Sequence, residues 1–483
     1  MKNEQTRRDF IRKTSCAVLA ASAASVSLRR FGLLTAKAME AASSDPSYQA
    51  LVCIFLSGGN DSNNMVVPLG SGYAGYSAAR PASSGLQLSQ ASLHSITVPG
   101  FSYAFGLHQN LGTNANQTDP TKVVHTLWGM QKLAIVCNVG PLVVPLPNTT
   151  AYNNDANPKP YQLFSHSDQV TQWQTSVSDQ VDQTGWGGRT ADKTVSFNSG
   201  AGFPLVTSVA GSSVFAQGIQ TRPLGINPAP TALNKILVLN GFTTGNSVSD
   251  ARRASYDFLR TIDRTALLVG ATSDATQQAV SIGADLTTDP TLATVFPNTG
   301  LGNQLWQVAK VMKIHQTLGL KRQIFFCSQG GYDTHQDQIS DQASLFSELS
   351  EAMKAFYDAT VELQLDTQVT TFTLSDFGRT LQPSGSGGDV GTDHGWGNHQ
   401  LVMGGAVQGG AFYGSVGASG SVFPSMVLGG PDDTDVRGRW IPYASVDQYA
   451  ATLATWFGLA PGDLSYVFPN LGGFSTPNLG FLG

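Results

Sequence analysis

Five short apolar runs punctuate the chain, most of them broken off by glycine. Residues 51–56 (LVCIFL) end at Ser57-Gly58-Gly59, and residues 132–139 (KLAIVCNV) end at Gly140-Pro141. Residues 235–239 (KILVL) meet Asn240-Gly241, and residues 323–327 (QIFFC) meet Ser328-Gln329-Gly330-Gly331. Residues 369–374 (VTTFTL) run into Ser375-Asp376-Phe377-Gly378. Runs that are apolar throughout, rather than alternating, suit strands buried on both faces, as in a parallel sheet covered by helices. Residues 249–268, 305–318, 343–363 and 445–457 carry apolar positions at helical spacing instead. Strand and helix thus alternate, which predicts an α/β fold with a mostly parallel central sheet. Residues 145–160, 196–230 and 383–391 are rich in Gly, Pro, Ser or Asn and read as loops.

The N-terminus follows a different rule. Arg7-Arg8 precede a mildly apolar, Ala- and Ser-rich stretch from Cys16 to Leu28, and Ala36-Lys37-Ala38 offers a small-x-small cleavage site. The stretch is too short to span a bilayer. The order of features predicts a twin-arginine export signal over residues 1–38, then a single domain over 39–483, and a periplasmic or secreted protein. The partner implied is the twin-arginine translocation machinery, which carries folded proteins.

Removing that segment changes the charge picture. The whole chain carries −5; residues 1–38 hold eight Lys/Arg and two Asp/Glu, so the remainder stands near −11. An acidic chain without a basic run argues against nucleic acid or an anionic membrane surface as partner. No later segment is long and apolar enough for a transmembrane helix. Cys53, Cys137 and Cys327 each lie inside an apolar run and read as buried thiols.

In an open parallel sheet, ligands bind beyond the carboxyl ends of the strands. Three such ends deliver a carboxylate: Asp61, Asp333 and Asp376. Of the eight histidines, His335, His394 and His399 lie in the loops that follow. Imidazoles with carboxylates suit a divalent metal, zinc or manganese before calcium. His394 is expected to point into a site made by Asp61, Asp333 and Asp376, with Asp393 or His399 as a further ligand or an outer partner. Ser165 and Ser167 open a stretch of helical character, where a hydroxyl serves either as nucleophile or as N-cap. Arg379 is placed to hold an anion by a bidentate contact, or else to form an ion pair.

The motifs LVCIFLSGGNDSNNMVVPL, SHSDQVTQWQT, GGYDTHQDQ, TLSDFGRTLQPSGSGG and TDHGWGNHQLVMGGAVQGGAFYG resemble the DUF1501 family of exported bacterial proteins. That resemblance implies an alkaline phosphatase-like α/β fold, shared with sulfatases and cofactor-independent phosphoglycerate mutases, with two divalent metals at the strand ends. Asp61 resembles the metal-binding Asp of the first strand and Ser165 the nucleophile. Asp333 and His335 resemble a later Asp/His set, and His394 or His399 the last histidine. Asp376 fills the Asp of an Asp-His pair, but Phe377 replaces its His, so the resemblance carries one ion or two. No cysteine begins the Cys/Ser-x-Pro-x-Arg motif of sulfatases that mature a formylglycine. The function expected is a metal-dependent hydrolase of a small anionic phosphate or sulfate ester. The competing expectation is a non-catalytic exported binding or envelope-associated protein of the same fold.

Overall fold

The computed structural model describes residues 48–483 apart from 240, 243, 244 and 388, so the expected export signal with Arg7, Arg8 and Cys16 lies outside the described residues. Fourteen strands are described: β1 (Gln49–Leu56), β2 (Val66–Pro68), β3 (His94–Ile96), β4 (Phe105–Leu107), β5 (Leu133–Gly140), β6 (Val206–Ser208), β7 (Leu224–Gly225), β8 (Arg322–Gln329), β9 (Val369–Ser375), β10 (Arg379–Pro383), β11 (Thr392–His394), β12 (Asn398–Gly404), β13 (Phe412–Tyr413) and β14 (Ala444–Ser445). Nine of them form one sheet in the order β13-β5-β12-β9-β1-β8-β6-β7, with β14 also on β5. Most neighbours are parallel; β12 runs antiparallel between β5 and β9. β2, β4 and β3 make a small antiparallel sheet, and β10 pairs β11 as a hairpin.

The apolar runs explain the sheet. In β1 every residue from Ala50 to Leu56 is buried, so both faces are covered. Leu51, Cys53 and Phe55 join a core with Tyr449, Leu453 and Phe457 of the helix Val446–Phe457. The intervening Val52, Ile54 and Leu56 are equally buried from the other side. The helices Gly300–Lys313 and Gln338–Glu362 pack on each other, and the former also packs on β8. Cys53, Cys137 and Cys327 are free, buried thiols on β1, β5 and β8. Among the described residues no helix is long and apolar enough to cross a membrane.

Two compact units are separable by their internal contacts. The larger holds residues 48–198, Pro204–Pro230 and Pro290–Gly483, with the sheet; the smaller holds Ser199–Phe203 and Thr231–Asp289. In the smaller unit the expected strand at 235–239 is absent: Leu233–Lys235 is a short 3-10 turn and the chain then runs without a ladder. β6, which pairs β8 in the sheet, comes from the stretch read as a surface loop. The helix expected over 249–268 is two helices, Ser247–Leu259 and Leu267–Asp285, with Asp263 left-handed (φ 54°) between them.

Candidate metal centre at the strand ends

β1 and β8 end level with each other, Leu56 opposite Gln329. The turns that follow are packed backbone to backbone: a Cβ on Gly58 would lie 2.3 Å from the Asp333 nitrogen, and Gly58 has φ 117°. Only glycine permits that approach. The Gly58 N–H donates to Asp376 Oδ1 at 3.0 Å, tying the end of β9 to the same place. The β10–β11 hairpin sets His394 opposite Arg379. His166 arrives from elsewhere, as the first residue of the helix His166–Thr175.

Three side chains converge here. His166 Nε2 lies 3.4 Å from Asp333 Oδ1, and His394 Nε2 lies 3.5 Å from the same oxygen. Two ligands about 2.0–2.2 Å from one tetrahedral ion stand about 3.3–3.5 Å apart, so these spacings fit a shared ion. The ligand atoms of His166, Asp333 and His394 form a group with metal-binding spacing. His335 stands beside it, its Nε2 3.0 Å from His394 Nε2 and 3.2 Å from Asp333 Oδ1.

The proton positions strengthen the fit. His394 Nδ1 lies 2.7 Å from the Phe164 carbonyl oxygen, which can only accept, so that nitrogen carries the proton. Phe164 is held at φ 73° as it presents this oxygen, a strained backbone for a residue with a side chain. His166 Nδ1 lies 2.8 Å from Asp376 Oδ2, again an acceptor. In the neutral rings both Nε2 atoms are then bare lone pairs near the Asp333 carboxylate, and that of His394 can also accept a hydrogen bond from His335 Nε2 at 3.0 Å. His166 Nε2 is buried and has no hydrogen-bond partner. Acceptors facing acceptors ask for a cation, and imidazoles tied through Nδ1 are how proteins orient metal ligands.

The surroundings push the two imidazoles in opposite directions. The hydrogen bond to Asp376 raises the His166 pKa, against the opposing pull of burial. Burial lowers that of His394, with Arg379 and the neighbouring imidazoles adding to it and the Phe164 carbonyl resisting. Partial burial works against charge on Asp333, but Arg379 and the imidazoles outweigh it and hold its carboxyl below the usual range.

The other expected residues land differently. Asp61 is not in the cluster. Its Oδ1 accepts the Asn63 N–H at 3.1 Å; its Oδ2 accepts from Arg80 Nη1 at 2.7 Å and Gln338 Nε2 at 2.6 Å. Both side chains of the Arg80–Asp61 pair are fully buried, so a guanidinium stands where a metal was expected. Asp376 acts through His166. Arg379 does not reach outward for an anion; it is buried and donates to Asp333 Oδ1 at 2.9 Å and to the Thr392 carbonyl at 2.7 Å. His399 is buried away from the cluster, its Nδ1 accepting the Asn138 N–H at 3.0 Å, and burial pulls its pKa to about 3. Asp393 stands 3.5 Å from His335 Nδ1 and pairs with Arg437.

Ser165 occupies the N-cap position of its helix but makes no capping bond. Its Oγ donates instead to Asp168 Oδ2 at 2.6 Å. The residue that sequence reasoning passed over is His166, set in the same Ser-His-Ser-Asp motif; an imidazole directly beside the candidate serine was the available signal.

Fold and cluster together define an α/β protein with a His/Asp centre at the carboxyl ends of a mainly parallel sheet. A family model described as "Protein of unknown function (DUF1501)" matches residues 48–423, and the chain belongs to that family. No curated protein matches it. Among solved structures, that of Ps i-CgsB in complex with k-i-k-neocarrahexaose is similar at 7% identity and a TM-score of 0.32, covering 89% of this chain and 77% of that one.

Proposed function

We propose that the protein is an exported metal-dependent hydrolase of a phosphate or sulfate ester, with the architecture of the alkaline phosphatase-like superfamily. The observation that carries this reading is the convergence of two bare Nε2 atoms on Asp333 Oδ1. His166, Asp333 and His394 would hold one divalent ion, zinc or manganese by the chemistry of the donors. Three protein ligands leave a position for substrate, as catalytic sites do. Bound there, the ion supplies Lewis-acid polarisation of the ester and neutralises charge as the reaction proceeds. A single ion fits best, because Arg80 neutralises Asp61 and the Phe377 ring lies 4.6 Å from the His394 ring and 4.7 Å from the His166 ring.

Ser165 is the nucleophile in this reading. Its hydroxyl is spared from helix capping and points its proton at Asp168. As Oγ bonds to phosphorus or sulfur, the proton passes to Asp168 and the bond to the alcohol oxygen breaks, the alcohol leaving with that electron pair. Water then releases the serine. Export through the twin-arginine route would deliver the centre already assembled.

A second reading, a non-catalytic exported binding protein, draws on Arg379 and Asp61 being sealed inside the fold. Elemental analysis of natively exported protein, joined to assays on aryl phosphates, aryl phosphodiesters and aryl sulfates, separates the two. About one zinc or manganese per chain with turnover of one ester class supports the hydrolase. A loaded protein silent on all three supports the binding reading, and a metal-free one removes the centre itself.

A further inference from the structure

Away from the His/Asp centre, two hollows open side by side. One, of about 680 Å³, is lined by β3 and by the helix His125–Gly129. The other, of about 410 Å³, lies where residues 130–132 meet residues 407–413. Gln131 lines both, and the adjoining Gly409 and Gly410 line one each. Gln131 lies just before β5, so the hollows lie at the amino end of that strand. β5 and β9 both run antiparallel to β12 and hence in the same direction. The hollows are therefore at the opposite end of the sheet from Asp376 and its partners.

Their linings carry little charge. The larger hollow has no Asp, Glu, Lys or Arg in its lining. In the smaller one the charged residue is Lys132, whose ammonium is occupied by the Gly405 carbonyl at 3.1 Å. His94 and His125 lie with ring centroids 4.9 Å apart. His94 Nε2 meets the Gln109 carbonyl at 3.0 Å, so it carries the proton and Nδ1 is left to accept. Burial, then the neighbouring His94, lowers the His125 pKa and favours its neutral ring. Among the described residues, the side chains of Ser95, Thr97, Thr113 and Gln131 make no hydrogen bond to the protein, so their polar groups are uncommitted. Gln131 holds φ 56°, a left-handed backbone that glycine would adopt without strain, yet the position carries a long amide side chain.

We propose that these two hollows, which share Gln131, form a binding groove for an uncharged oligosaccharide, separate from the His/Asp centre. Neutral hydroxyls, an amide and flat rings match a chain of sugar hydroxyls and C–H faces. A phosphate or acidic glycan would call for arginine or lysine, and none is free here. A peptide added as a strand would need a longer edge, and β3 has three residues. Two hollows meeting at one residue suit an occupant of several sugar units that crosses Gln131.

The test uses the full exported chain in calorimetric titrations with neutral hexaoses: gluco-, manno- and galacto-configured, with different linkages. An oligogalacturonate and an unstructured peptide run beside them. At least one neutral hexaose should bind, and binding should survive both chelator and His166→Ala. The triple variant Gln131→Gly, Thr97→Val, Ser95→Ala should bind at least about tenfold more weakly with an unchanged Tm; Gln131→Gly suits the backbone, so folding is preserved. Absence of binding to every neutral hexaose, equal binding by the triple variant, loss of binding with His166→Ala, or preference for the acidic oligomer or the peptide would each overturn the groove.

Discussion

Two neighbouring turns carry nearly the same sequence and end in opposite chemistry. Gly58-Gly59-Asn60-Asp61-Ser62 follows β1, and Gly330-Gly331-Tyr332-Asp333-Thr334 follows β8. Both present an Asp just beyond a parallel strand end. Asp61 is fully buried and answered by Arg80, while the Asp333 side chain is 48% exposed and faces three imidazoles and Arg379. The strand-turn motif therefore delivers a carboxylate and leaves its purpose open. Purpose comes from what distant chain brings to it: Arg80 from the helix end after Tyr73–Ala79, or His166 and His394 from 167 and 61 residues away in sequence.

If that is right, the two carboxylates should fail in different ways. The largest effect is expected on the Asp61 side. Arg80 also donates to Asn64 Oδ1 and to the carbonyls of Thr380 and Leu381, so it fastens the β1 turn to β10. Arg80→Ala strands a buried carboxylate and should cost about 3–5 kcal/mol in denaturant unfolding. A cost below about 1 kcal/mol would mean that the pair is dispensable. Asp333→Asn, at a half-exposed position, should lose far less stability in metal-free protein.

On the Asp333 side the readout is metal. Asp333→Asn and His166→Ala each remove a ligand. Both should lower affinity for zinc or manganese by more than the roughly 10–100-fold that loss of an outer partner costs. Competition against a chelator of known affinity measures this, and Arg80→Lys serves as the contrast that should bind the ion normally. Equal affinity in His166→Ala and wild type would dissolve the centre. Asp376→Asn tests the outer position: its carboxylate orients His166 through Nδ1 and should account for roughly 10–100-fold of the affinity. An unchanged affinity would show that the ring is held by packing against Phe377 alone.

The same contrast explains how much could be read from the chain. The apolar runs placed β1, β5, β8 and β9 to within about two residues, because those strands are buried on both faces; the run at 235–239 carried the same signal and forms no strand. β12 was not seen: Asn398-His399-Gln400 opens it with polar residues that the fold buries and satisfies only in part, Gln400 Oε1 accepting from Thr373 Oγ1 while Gln400 Nε2 and His399 Nε2 have no partner. His399 looked like a ligand for that reason and is a strand residue. The carboxylates at strand ends were legible, as were His335 and His394. Their partners were not, since whether Asp61 meets a metal or Arg80 depends on a side chain 19 residues on, folded back by a short helix. His166 sat unread inside a motif whose serines drew the attention.

The smallest expected effect concerns protons, and it separates a poised metal site from a plain ion pair. In metal-free protein the Asp376 hydrogen bond raises the His166 pKa above its unfolded value near 6.5. A raised imidazole contributes stability that is fully present below the unfolded pKa and is lost as pH rises through the folded one. The His166 contribution should therefore shrink on going from mildly acidic to mildly alkaline solution, and it is read as the stability difference between metal-free wild type and Asp376→Asn, since His108, His399 and Asp447 set slopes common to both. Zinc should stabilise the wild type by a margin that grows as pH rises over the same range, because the ion competes with the proton for Nε2 and binds more tightly as pH rises. Thermal unfolding with and without zinc, between about pH 5.5 and 8, reads both slopes. Parallel curves in the two conditions would mean that His166 does not hold the ion, and the acceptors around Asp333 would need another explanation.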